Sequence, residues 1–270
     1  MVLPHHMSCL LTYCLSDYLA MNKLRFFLFV LIAYFQGEIV VAQEITQSAR
    51  YQSCFLKTKE TPREAFEDAI QWKNEGGGEP SVHCAAMALM ALGLYQAAAH
   101  RLESIAKSIN KGPRFKANIL KQAGRAWLLA GDAARAEAVA TSALQLAPKN
   151  PELLINRAQA RADLGDYFSA KIDLDSAIAV VPGDINALTF RAAAHRYLNN
   201  WPLAMADVNA VLMADPNHPE ALLERGILRR LNNNNAGART DWLKLLEIAP
   251  NASAAATARA NLEKMDLNIE

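Results

Sequence analysis

Charge of one sign is missing from this sequence. Its 28 lysines and arginines face 27 aspartates and glutamates, for a net charge of +1. That balance excludes the basic footprint of a nucleic-acid binder or of a protein drawn to anionic membranes. Long apolar runs are scarce as well. Phe26–Phe35 is ten residues long, and a membrane span needs roughly 20. Cysteine occurs only four times. Cys54 and Cys84 stand alone, without the close spacing of a zinc set. His83, His100, His195 and His218 are also single, with no carboxylate at ligand spacing. No glycine-rich phosphate loop follows a strand, because no segment reads as a strand, and no nucleophile–base arrangement stands out. Metal, cofactor and catalytic chemistry are therefore not expected.

What is present is a period. Pro148, Pro182, Pro216 and Pro250 recur at one constant interval, thirty-four positions each time. Half a period before each proline lies a loop signal: Gly131-Asp132, Gly165-Asp166, Asn199-Asn200 and Asn233-Asn234. Ala136, Ala170, Ala204 and Ala238 keep the same interval. A period of this length is the signature of a repeat architecture. Each unit reads as two helices. Proline ends the second by removing a backbone donor and restricting its predecessor. The Gly-Asp or Asn-Asn pair makes the turn between them, where left-handed backbone is tolerated. In the unit 151–184, Leu154, Ala158, Leu174 and Ala177 give the three-and-four spacing of apolar stripes.

Leu164-Gly165-Asp166-Tyr167, followed by Ala170, Ala177 and Pro182, resembles the tetratricopeptide repeat (TPR) family. The likeness runs in phase from Ala117 to Ala252 and extends loosely to Glu79. Trp201 and Asn235 replace the tyrosine in two units, and Ala133 replaces it in a third. The resemblance implies an all-α, right-handed solenoid of antiparallel helix pairs. Five repeats are expected, at 79–112, 117–150, 151–184, 185–218 and 219–252, with Pro113–Lys116 inserted after the first. A capping hairpin at 43–78 and a closing helix and tail at 253–270 complete the array. In the hairpin, Thr61-Pro62-Arg63-Glu64 predicts a capped helix start.

Residues 1–42 read differently. Lys23 and Arg25 precede the apolar run, and Val40-Val41-Ala42 supplies small residues for cleavage after Ala42. This is the pattern of a signal peptide, with residues 1–20 an upstream extension before Met21. Export to the periplasm, or secretion, is the expectation, with no stable membrane insertion after cleavage. Cys9 and Cys14 would leave with the segment. In an oxidising compartment Cys54 and Cys84 form a disulfide; the alternative is two buried free thiols.

Two residue sets bear on function. Arg157, Arg191 and Arg225 recur one period apart, and Asp173, Asp207 and Asp241 follow them at a constant offset. They form either charged stripes for a partner or structural ion pairs between first and second helices, and pairing by repeat favours the second. The family's first helices line the groove. Carrying that phase over places Lys121, Arg125, Asn156, Gln159, Thr189, Phe190, Arg196, Tyr197 and Arg230 inward. Amides, basic groups and aromatics suit the grip of an extended peptide. Some TPR domains clamp a terminal carboxylate. Lys121 and Asn156 match two of those positions, but Arg125, Asn186 and Phe190 replace the residues at three others, so that specificity is not expected. The function implied is a non-catalytic scaffold for a protein or peptide partner. The other readings are a structural adaptor working through its convex face or caps, and an enzyme or carbohydrate binder on the same scaffold. His195 and the four tryptophans fall on packing faces and are expected in the core, with the histidine hydrogen-bonded.

Overall fold

The structure, a computed structural model, describes residues 49–267. The expected signal peptide lies outside the described residues. The chain divides into two compact units after Lys57. The described part of the first, 49–57, is helical and belongs to α1, residues 49–60. The second unit contains α2 (Pro62–Asn74), then α3 (Gly78–Ala91) with α4 (Tyr95–Ser108), and α5 (Pro113–Leu129) with α6 (Ala133–Leu146). The pairs α7 (Pro151–Asp163) with α8 (Tyr167–Val180), α9 (Ile185–Tyr197) with α10 (Trp201–Ala214), and α11 (Pro219–Leu231) with α12 (Asn235–Ile248) follow, before α13 (Ser253–Asp266). From α2 onward the helices pack as consecutive antiparallel pairs, each touching the next.

One turn is written five times. Gly93, Gly131 and Gly165 sit at φ 74°, 77° and 82°, and Asn199 and Asn233 take the same left-handed conformation at 61° and 59°. The following residue donates its N–H back to the fifth residue before it, as Asp132 does to Trp127 and Asn200 to His195. That bond satisfies a carbonyl that the helix end leaves free. Asp132, Asp166 and Asn234 then cap the second helix by accepting from the N–H three residues on. Beyond the repeat prolines, Asn150, Asp184 and His218 cap the next first helix in the same way. The sequence signals thus stop one helix and start another within a few residues.

One local expectation differs from the structure. Thr61 precedes α2, but its side chain makes no capping hydrogen bond. Its ψ of 68° matches those of the capping Asp132, Asp166 and Asn234, but its φ of −134° lies well away from their −101°, −85° and −91°. The expected Pro113–Lys116 insertion is taken up as helix, and α5 is four residues longer than α7, α9 and α11. The segment is the first turn of α5, which starts on Pro113 and runs 17 residues. Proline at the first helical position, after Gly112, begins a helix without losing a bond.

Alanine fills the interior. Ala136, Ala170, Ala204 and Ala238 have no exposed surface, so the paired helices approach closely at those points. Trp72, Trp127 and Trp242 are buried, while Trp201 is half-buried. Cys54 and Cys84 are both buried and both disulfide-bonded, which decides against free thiols. At the end of the array Ala254, Ala255, Ala258 and Leu262 of α13 are buried. No helix among the described residues is long and apolar enough to cross a membrane.

Candidate functional site

The first helices of successive pairs place one stripe each around a shared cavity of about 940 Å³. From α5 come Lys121, Gln122, Arg125, Leu128 and Leu129; from α7 come Glu152, Ile155, Asn156, Gln159, Ala162 and Asp163. Both sets repeat at three- and four-residue intervals, which keeps them on one helical face. Met87 and Met90 of α3 lie at one end, and Asp184, Asn186 and Phe190 at the other. The lining is a floor of methionine, leucine, isoleucine and phenylalanine with amides and charges around it.

Part of the polar lining is committed to the scaffold. Lys121 Nζ pairs with Glu152, and Asn156 Nδ2 donates to the Lys121 carbonyl at 3.3 Å, so α5 is tied to α7. Asp184 caps α9. Gln122 Oε1 lies 2.8 Å from His83 Nε2, and burial holds the His83 imidazole below its ordinary pKa. The rest is unengaged. Among the described residues the side chains of Arg125, Gln159 and Asn186 make no hydrogen bond or ion pair, and Arg125 is exposed. Partial burial raises the Asp163 carboxyl above the ordinary aspartate value.

Of the nine residues assigned to the groove from sequence, Lys121, Arg125, Asn156, Gln159 and Phe190 line this cavity. Thr189 does not. It is 5% exposed, and its hydroxyl donates to the Ile185 carbonyl at 2.7 Å, bonding its own helix. Arg196, Tyr197 and Arg230 also lie outside the lining. Arg196 is bound in two places by Glu224 of α11, at 2.7 and 3.0 Å. Tyr197, half exposed, stacks on Tyr167 with ring centroids 4.1 Å apart and 5° between planes. The sequence reading missed the apolar floor, notably Met87, Met90, Leu128 and Ile155. Their phase matches the polar lining, but an apolar side chain at a helical position reads first as core.

Inside the helix pairs, Arg157 donates from Nε and Nη2 to both oxygens of Asp173, at 2.9 and 2.7 Å. Arg191 holds Asp207 in the same two-point manner at 2.8 and 2.7 Å, and Arg225 holds Asp241 at 3.0 and 2.7 Å. The three aspartates are buried. The geometry is that of paired struts between first and second helices, and it leaves no acidic stripe for a partner. His195 is buried as expected, yet its Nδ1 has no hydrogen-bond partner. No cluster of three or more metal-ligating side chains occurs among the described residues.

This is the architecture of a TPR-type helical repeat protein, and solved structures agree. A thermophilic TPR protein from Thermus thermophilus matches 68% of this chain over 99% of its own, with TM-score 0.58 and 20% identity. A TPR protein from Parabacteroides merdae matches 78% of this chain over 75% of its own, with TM-score 0.51 and 21% identity. A chain of the APC/C heterotetramer Cut9–Hcn1 matches 74% of this chain with TM-score 0.61 and 16% identity, and this chain spans 39% of it. No protein-family model and no curated protein sequence matches.

Proposed function

We propose that the chain is a non-catalytic scaffold that holds an extended segment of a protein partner in the cavity of its first helices, outside the cytoplasm. The observation that carries the reading is the unengaged set of Arg125, Gln159 and Asn186 above an apolar floor. Amide side chains can meet a peptide's backbone groups, and the guanidinium can take a carboxylate in two places. Methionines at 87 and 90 adapt their shape to apolar side chains. All these residues stand on packed helices, so little ordering is needed on binding. The extracytoplasmic location is supported by Lys23, Arg25 and the apolar run before Ala42, and by the disulfide state of Cys54 and Cys84.

Random-peptide display on the purified chain tests the binding reading. Enriched peptides should share one pattern and bind Arg125→Glu at least about tenfold more weakly, a loss of about 1.4 kcal/mol. Asn209→Glu, on an exposed position of α10, should bind them unchanged. Failure to enrich any pattern, or equal binding by Arg125→Glu, would contradict the assignment.

A further inference from the structure

His195 stands one full period after Arg161 and one full period before Arg229. In those flanking pairs the arginine is a second clasp on the buried aspartate. Arg161 Nη1 donates to Asp173 Oδ2 at 2.8 Å and to the Ser169 carbonyl at 3.5 Å. Arg229 Nη1 donates to Asp241 Oδ2 at 2.7 Å and to the Gly237 carbonyl at 3.1 Å. Each of those carboxylates therefore gathers two cations, and each first helix is fastened to the opening turn of its second. Between α9 and α10 that clasp is missing. Asp207 keeps Arg191, while His195 is 4% exposed and its Nδ1 is the buried side-chain nitrogen left without a partner among the described residues.

The core changes hands at the same helix. One apolar cluster runs from α3 to Ala187 and Ala194 of α9. A second begins at Ala192 of α9 and runs through Leu262 of α13. Helix α9 also supplies Asn186 and Phe190 to the cavity. Of the three arginine–aspartate struts, the one without a second clasp thus sits on the helix that joins both halves of the core and one end of the groove.

We propose that His195 makes the α9–α10 joint sensitive to acid, so that protonating its imidazole loosens α9 and alters the groove; the groove clause rests on the peptide-binding reading above. Several charges act on the imidazole. Asp207 of α10 and Asp175 of α8 favour its charged form, and Arg191 of α9 and Lys171 of α8 oppose it. Helices α7 and α11 also pack on α9. On those helices Arg161 pairs with Asp173 and Glu137, and Glu224 pairs with Arg196. Asp207 is held at both oxygens by Arg191, as Asp173 and Asp241 are by Arg157 and Arg225, but no hydrogen bond joins it to His195 Nδ1. Burial is the largest influence, and the His195 pKa lies below the ordinary imidazole value. The stability held by neutral His195 is therefore complete above the unfolded value of about 6.5 and is lost as pH falls below it.

Hydrogen exchange and NMR of the purified chain, with carbon-13 on the methionine methyls, test this without any peptide. Between pH 7.5 and 5.5, protection of α9 and α10 amides, corrected for intrinsic exchange, should fall up to about tenfold relative to α5. The Met87 and Met90 methyl signals should shift with the same midpoint. His195→Gln, which cannot be protonated, should abolish both effects. An equal fall in that variant, or none in the wild type, would overturn the proposal. Should the variant not fold, the wild-type His195 ring signal decides. A midpoint below about 6.5 that coincides with the exchange change supports the joint, and one at or above it rejects it. Loss of the methyl shifts with the exchange effect intact would confine the device to α9 and sever it from the groove. Failure of peptide binding would leave these readouts untouched.

Discussion

Replacing Asp173 with alanine lowers the stability of the chain by about 3–5 kcal/mol, read by urea unfolding. The carboxylate is 3% exposed and takes bonds from two guanidiniums, those of Arg157 and Arg161. Removing it leaves both cations inside a helix pair with no equivalent partner, apart from the bond of Arg161 to Glu137. Since the two arginines keep about a fifth of their side-chain surface (19% and 20%), some water reaches them, and the lower part of the range is expected. Asp175 is the contrast. It also accepts from a lysine and an arginine, but it is 40% exposed. Its replacement should cost under about 1 kcal/mol, because solvent already screens the pair. Equal losses at the two positions would mean that burial does not set the worth of these struts.

Glycine-to-alanine substitutions at one repeat position should have opposite signs in two repeats. Gly124 and Gly226 occupy the same place in α5 and α11, three periods apart, with Ala158 and Ala192 between them. At a constant offset after these four lie Ala140, Leu174, Val208 and Trp242. A Cβ on Gly124 would meet nothing nearer than 3.8 Å. Gly124→Ala should then stabilise by about 1 kcal/mol, the helix-propensity difference. A Cβ on Gly226 would lie 2.2 Å from Trp242 Nε1 and 2.7 Å from two ring carbons. Trp242 has no exposed surface, and its indole N–H donates to the Leu223 carbonyl at 3.2 Å, so the ring has no free direction to move. Gly226→Ala should destabilise by about 1–3 kcal/mol through overpacking. A thermal melt of each variant measures both, and the same sign in both would show that the last pair is less tightly filled than this geometry requires. The largest side chain thus faces the smallest residue, which is how one backbone period accommodates unequal volumes.

Repetition made the fold legible. A single Gly-Asp or Asn-Asn is a weak turn signal, but four of them at a fixed interval, each with its proline half a period on, leave one architecture. The arginine–aspartate struts were legible for the same reason, since a pair that keeps its spacing across repeats reports a contact. The site was harder to read. Helical phase gave the polar lining on α5 and α7, where stripes are regular. It did not separate Phe190, which lines the cavity, from Thr189, which turns inward to bond its own helix. Arg196 and Tyr197 sit on the last turn of α9, where Glu224 and Tyr167 capture them, and neither contact follows from phase. The exception at His195 is visible only against its neighbours. In sequence it is one histidine on a packing face; beside Arg161 and Arg229 it is a missing clasp.

The central claim is that the face of the first helices meets the partner. Photo-crosslinking in cells from Gln159, inside the cavity, with Asn209 on α10 as control, tests it most directly. A specific adduct from Gln159 alone is expected, with the crosslink mapped to an extended segment of one protein and recovered outside the cytoplasm. Adducts from Asn209 alone, or from neither position, would contradict the groove assignment, and a Gln159 adduct confined to the cytoplasm would contradict export.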